Sequence, residues 1–100
     1  MRYTITISVE AEQDLSCIYK SIALNDEFIA KRALNAFYQK IIGLEYLPYR
    51  NPKLFKKNES IRVTYLYNYF IIYEVNDLKS AVYIYRVVYC AKDIKKMKLK

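Results

Sequence analysis

The side chains of this chain that could act on a charged target are cations and phenols. Seventeen Lys and Arg stand against ten Asp and Glu, for a net charge of +7, and twelve residues are tyrosine. Arg62, Arg86 and Lys92, with Lys56 and Lys57 from a basic stretch, could hold phosphates while phenol rings stack on bases, as single-stranded nucleic acid recognition requires. A plainer role competes with this one. Tyrosine favours strands and pairs across them without any ligand, which assigns Tyr65, Tyr67, Tyr69, Tyr73, Tyr83 and Tyr85 to structure. Arg62 and Arg86 lie in strand-like runs, where a cation must reach solvent or pair with a carboxylate, with Glu74 and Asp93 as the expected partners.

Other chemistries lack their residues. The chain has no histidine, which removes the usual neutral-pH general base, the Ser-His and Cys-His nucleophile systems and the commonest metal ligand. Its one glycine, Gly43, cannot make a phosphate-cradling loop. No metal or cofactor is expected. Glu10, Glu12 and Asp14 stand at a helix start, where the helix dipole accounts for them. Cys17 and Cys90 have no neighbouring histidine to lower their pKa and read as reduced packing residues.

Positioning these groups falls to one domain over residues 1–100, since 54% hydrophobic residues suffice for a core and no linker-like tract or repeat interrupts them. Tyr3, Ile5, Ile7 and Val9 alternate with polar residues and predict a strand. Ser8 then offers a cap, and Ala11, Leu15, Ile18 and Ile22 trace one stripe of a helix. Asn25 and Asp26 end it and cap a second helix from Glu27 to about Leu47, with Ala30, Ala33, Leu34, Phe37, Ile41 and Leu44 inward. So short a joint makes an antiparallel hairpin. Pro48 and Pro52 open an irregular basic segment, Tyr49 to Ser60, read as a surface loop or short edge element. Runs Ile61–Tyr67, Tyr69–Asn76 and Ala81–Tyr89 form a meander, and the lysine-rich end from Ala91 to Lys100 reads as a short helix or a frayed tail. The predicted class is α+β, in the order β-α-α-β-β-β, with the helical hairpin packed on a mostly antiparallel sheet.

The charge favours a polyanion or an acidic protein as partner. No apolar run has the length of a membrane span, the first residues lack a secretory apolar core, and unpaired cysteines suit a reducing compartment, so the cytoplasm is expected.

Three runs together resemble a known family. R-V-T-Y-L-Y-N-Y-F-I-I-Y, from Arg62 to Tyr73, is similar to the arginine-led strand and N-Y-x-x-x-Y motif of the RelE/ParE toxins. V-Y-I-Y-R-V-V-Y-C-A-K-D-I, from Val82 to Ile94, resembles their closing strand, and I-S-V-E-A-E-Q-D-L-S-C-I-Y, from Ile7, their opening strand and helix. The resemblance implies the toxin of a bacterial type II toxin–antitoxin pair, neutralised by an antitoxin that wraps its groove with an amphipathic helix and an extended segment. An adjacent reading frame of about 70–100 residues, with a DNA-binding motif and an acidic amphipathic tail, should encode that antitoxin.

Departures from the family pattern bear on mechanism. The ribonuclease branch, which cuts messenger RNA on the ribosome, usually has Arg where this chain has Phe70 and a cation near Cys90; here Ala91 and Lys92 replace the more typical Gly and Arg. If the chain were a ribonuclease, Arg62, Arg86 and Tyr89 would be its catalytic candidates. Losing a preorganised cation facing a phosphate commonly costs orders of magnitude in rate. The branch that inhibits DNA gyrase by binding does not need those residues, so the expectation is a ParE-like toxin, with ribosome-dependent RNA cleavage as the alternative and an inactive remnant or binding module third. Arg62, Arg86, Tyr89, Lys92, Lys56 and Lys57 are the expected target contacts.

Overall fold

A computed structural model describes residues 2–91. Strand β1 (Thr4–Ile7) leads through Ser8 into helix α1 (Val9–Ala23), and Asp26 opens helix α2 (Glu27–Ile42). Two short 3-10 turns, Gly43–Glu45 and Pro48–Arg50, precede β2 (Lys53–Phe55), β3 (Asn58–Leu66), β4 (Tyr69–Asn76) and β5 (Ala81–Tyr89).

Both helix starts follow from their caps. The Ser8 hydroxyl accepts the Ala11 amide at 2.9 Å and donates to the Tyr85 carbonyl at 2.8 Å, so one oxygen both caps α1 and ties it to β5. Asp26 accepts the Ile29 amide at 3.1 Å. The second helix stops at Ile42 and not near Leu47. Glycine weakens the helix at position 43, and Pro48 disfavours a helical conformation in the residue before it. Leu47 instead takes left-handed backbone, at φ 51°.

The sheet order is β1-β5-β4-β3-β2. β1 joins β5 in parallel, and all other pairings are antiparallel. β4 and β5 occupy their predicted bounds, whereas β3 begins three residues early and β2 emerges from the presumed loop. Pro52 suits that edge: it has no amide to offer a ladder, and its carbonyl accepts the Val63 amide at 3.0 Å.

The main core lies between the hairpin and the sheet, where Ala11, Leu15, Phe37 and Ile41 meet Ile71, Tyr73, Val75, Val82, Ile84 and Val87. Along β5 the inward residue steps from Ile84 to Val87, because the register of β4 against β5 shifts between Ile72 and Tyr73. The opposite face carries a smaller cluster of Leu54, Ile61, Ile72 and Val88, with Phe70 packed against it.

The β3–β4 hairpin turns on Tyr67 and Asn68, with Tyr67 at φ 55°. A positive φ at the first central residue of a two-residue hairpin loop is a position glycine usually fills.

Candidate functional site

An open hollow of about 700 Å³ lies between the far half of the hairpin and the β3–β4 end of the sheet. Its helical wall is Ile18, Ile22, Ile29, Ala33 and Ala36; its sheet wall is Tyr67, Tyr69 and Tyr89. Phe37 forms the junction, with its ring centroid 5.8 Å from those of both Tyr67 and Tyr69, and Tyr69 stands 5.7 Å from Tyr89. Offset and edge-on contacts of this kind fix the wall's shape. Tyr67 and Tyr89 remain 60% and 56% exposed, and Ile29 52%, so apolar area is on offer to a partner. Arg32 is the charged residue among the described lining, its guanidinium 5.9 Å from the Phe28 ring. Such a groove can seat an apolar helix face, and among the described residues its lining brings together no acid–base pair.

The predicted target residues are dispersed. Arg62 Nε donates to the Glu59 carbonyl at 2.8 Å, and its Nη1 to the carbonyls of Tyr49 and Asn51, both at 3.0 Å. Nη2 meets the Glu59 carboxylate at 3.2 Å, and the guanidinium lies 4.9 Å from the Tyr49 ring. Arg62 therefore pins residues 49–51 to β3. The same segment is held from β4, where the buried Tyr73 hydroxyl donates to the Pro48 carbonyl at 2.6 Å and accepts from Asn51 at 3.0 Å.

Arg86 is held on the other side of β4. Its Nε and Nη2 reach the two oxygens of Asp14 at 2.7 and 3.0 Å, and Asp14 also accepts the Val87 amide at 2.9 Å. β1 is too short to pair with all of β5, and Ser8 and Asp14 complete that edge. The arginine partners thus differ from expectation: they are Glu59 and Asp14, while Glu74 engages Tyr85 and Asp93 lies outside the described residues. Asp14 is more than a dipole partner for its helix.

Lys56 and Lys57 are exposed at the β2–β3 turn, Tyr89 is in the groove wall, and Lys92 and the rest of the lysine-rich end lie outside the described residues. Cys17, read as a packing residue, is exposed on α1; Cys90 is half-buried and its amide donates to the Asn68 carbonyl at 2.8 Å. Tyr65 is also exposed, so the structural assignment of the sheet tyrosines holds for Tyr73 and Tyr69 better than for Tyr65 and Tyr67. Among the described residues no three His, Cys, Asp or Glu side chains converge as a metal site would require.

Several phenols are held neutral. Burial, and then a 3.0 Å hydrogen bond to Asp77, push the Tyr49 hydroxyl up to about 12. Burial also raises Tyr73, and burial with the Glu74 contact raises Tyr85. A phenol whose folded pKa lies above its unfolded value of 10.0 stabilises the fold below that value and ceases to do so as the pH climbs through the folded one. The thermal midpoint should accordingly fall as the pH rises from 10 through about 12, in step with a late tyrosinate absorbance change. A midpoint insensitive to that interval would contradict the assignment.

A helical hairpin over one face of a five-stranded mixed sheet is an α+β arrangement shared with solved structures of toxin–antitoxin systems. In the P. aeruginosa chromosomal ParDE system, a chain of 15% identity aligns over 88% of this chain and 96% of its own length, with a TM-score of 0.72. The RelBE2 toxin–antitoxin complex of Mycobacterium tuberculosis gives 21% identity, 89% and 99% coverage and a TM-score of 0.69. A mutant of E. coli toxin RelE in the free state gives 13%, 98% and 100%, and 0.64. No curated protein sequence matches the chain. Residues 5–94 match the family described as the ParE toxin of the type II toxin–antitoxin system parDE, and the chain belongs to that family. The resemblance read from its three motifs is borne out.

Proposed function

We propose that this toxin arrests growth by binding DNA gyrase, not by cutting RNA, and that a cognate antitoxin neutralises it from the apolar groove. The observation that carries the reading is the commitment of both strand arginines: Arg62 to three carbonyls and Glu59, Arg86 to Asp14. Catalysis of phosphate attack requires cations preorganised toward the developing charge, and neither guanidinium is disposed that way. Phe70 and Cys90 supply no replacement. Surface binding makes no such demand. Tyr89, Lys56, Lys57 and Lys92 remain the proposed target contacts, with Arg62 and Arg86 supporting them from within the fold.

Expression without an antitoxin, and supercoiling assays with purified gyrase, test the reading. Gyrase-dependent DNA breaks and lost supercoiling are expected. Ribosome-dependent messenger fragments would instead establish the RelE-like alternative, and undisturbed growth an inactive remnant.

The groove carries its own prediction. Ala36→Trp fills the hollow from a half-buried position and should weaken antitoxin binding roughly 10- to 100-fold, about 1.4–2.8 kcal/mol, by calorimetry. Unchanged affinity would locate the antitoxin elsewhere.

A further inference from the structure

The helical hairpin accounts for the burial of one face of the sheet. On the other face Leu54, Ile61, Ile72 and Val88 are each at most 6% exposed. Every described residue of that cluster, Phe55, Val63 and Phe70 included, belongs to the strands themselves, and no described helix joins it. Neighbours within a sheet shield one another's flanks but leave the ends that stand away from the pleat open to water. Tyr65, which faces the same way opposite Phe70, is 64% exposed. The covered area is therefore a strip, not the whole face.

The strip has a direction. It takes one residue from each of four strands: Val88 on β5, Ile72 on β4, Ile61 on β3 and Leu54 on β2. Val88 pairs with Phe70, two residues before Ile72, and Ile61 pairs with Glu74, two residues after it. The line thus runs obliquely from the exit of β5 to the β2 edge, the footprint of a single segment of chain.

We infer that residues 92–100 cover this strip, with Ile94 and Met97 against it. The chain delivers them there: β5 ends one residue past Val88, and the Cys90 amide is still tied to the Asn68 carbonyl at 2.8 Å. Their length suits the span, since nine residues rise about 13.5 Å as a helix and three strand spacings measure about 14 Å. At helical spacing Ile94 and Met97 fall on one side and Lys92, Lys95 and Lys96 on the other. A second copy competes poorly for the strip, because a net charge of +7 on each chain opposes face-to-face association. The groove lies on the hairpin side of the sheet, so an occupant seated there leaves Lys92, Lys95 and Lys96 uncovered.

Nuclear Overhauser contacts in the methyl-labelled full chain test the proposal. Contacts from the Ile94 and Met97 methyl groups to those of Ile72 and Val88 are expected. Their absence overturns it, as do contacts to Ala33 and Ala36 instead, which would put the segment in the groove, or contacts found only between differently labelled copies, which would give the strip to a second chain. Ile94→Asp should lower the thermal midpoint by roughly 5–15 °C and raise the fluorescence of added anilinonaphthalene sulfonate several-fold, whereas Lys95→Ser does neither. A midpoint unmoved by Ile94→Asp, or moved as far by Lys95→Ser, overturns the proposal as well.

Discussion

Arg62→Ala is expected to lower the thermal midpoint by roughly 10–20 °C, corresponding to about 2–3 kcal/mol in a chain of this size. The loss comes from within the fold. Without the guanidinium, the carbonyls of Tyr49 and Asn51 lose their donor in a partly buried setting, and the Tyr49 ring loses its cation. Glu59, whose side chain is 75% exposed, adds little. Arg62→Lys should recover about half, since an ammonium can reach one or two of the acceptors but lacks the planar fork that spans all of them. Thermal unfolding followed by circular dichroism decides the matter. A midpoint within a few degrees of the natural chain, together with lost toxicity, would show that Arg62 faces a target after all.

Asp14→Ala should cost about 2–3 kcal/mol as well, by a different route. Its carboxylate takes two hydrogen bonds from Arg86 and one from the Val87 amide, so the substitution strands a partly buried cation and an amide at once. Both side chains retain some solvent, 17% and 28% exposed, which keeps the loss below that of a fully buried pair. Asp14→Asn preserves an acceptor for Val87 and should lose less. Adding Arg86→Met to Asp14→Ala removes the stranded charge, and a coupling of about 1–2 kcal/mol is expected from the double-mutant cycle. Simple additivity would mean that the two residues act independently. Faster amide exchange at Val87 in Asp14→Ala would tie the loss to the β5 edge.

Much of this architecture is written locally in the sequence. The bounds of β4 and β5 coincide with their reading because Asn68 and the Asn76–Ser80 stretch interrupt clear apolar runs, and both helix starts because Ser8 and Asp26 are strong caps. What eluded it is set by distance. β2 is three residues long, too brief for a period to declare itself. Strict alternation along β5 would send Arg86 to the core side with Ile84; the bulge gives that place to Val87 and leaves Arg86 to Asp14, 72 positions away. The groove draws its walls from α1, α2 and the sheet end, and no single stretch announces it. Its nearest signal was off-stripe apolar residues on α2, Phe28 and Ile29, where a solvated face would be polar.

The backbone at Tyr67 carries a further consequence. Left-handed geometry costs a side-chain-bearing residue about 1–2 kcal/mol, which glycine would not incur, yet the chain's one glycine stands elsewhere. Tyr67→Gly would remove that cost. The same substitution would take one ring out of the groove wall, so at this two-residue hairpin loop engineering for robustness and preserving the aromatic surface pull in opposite directions.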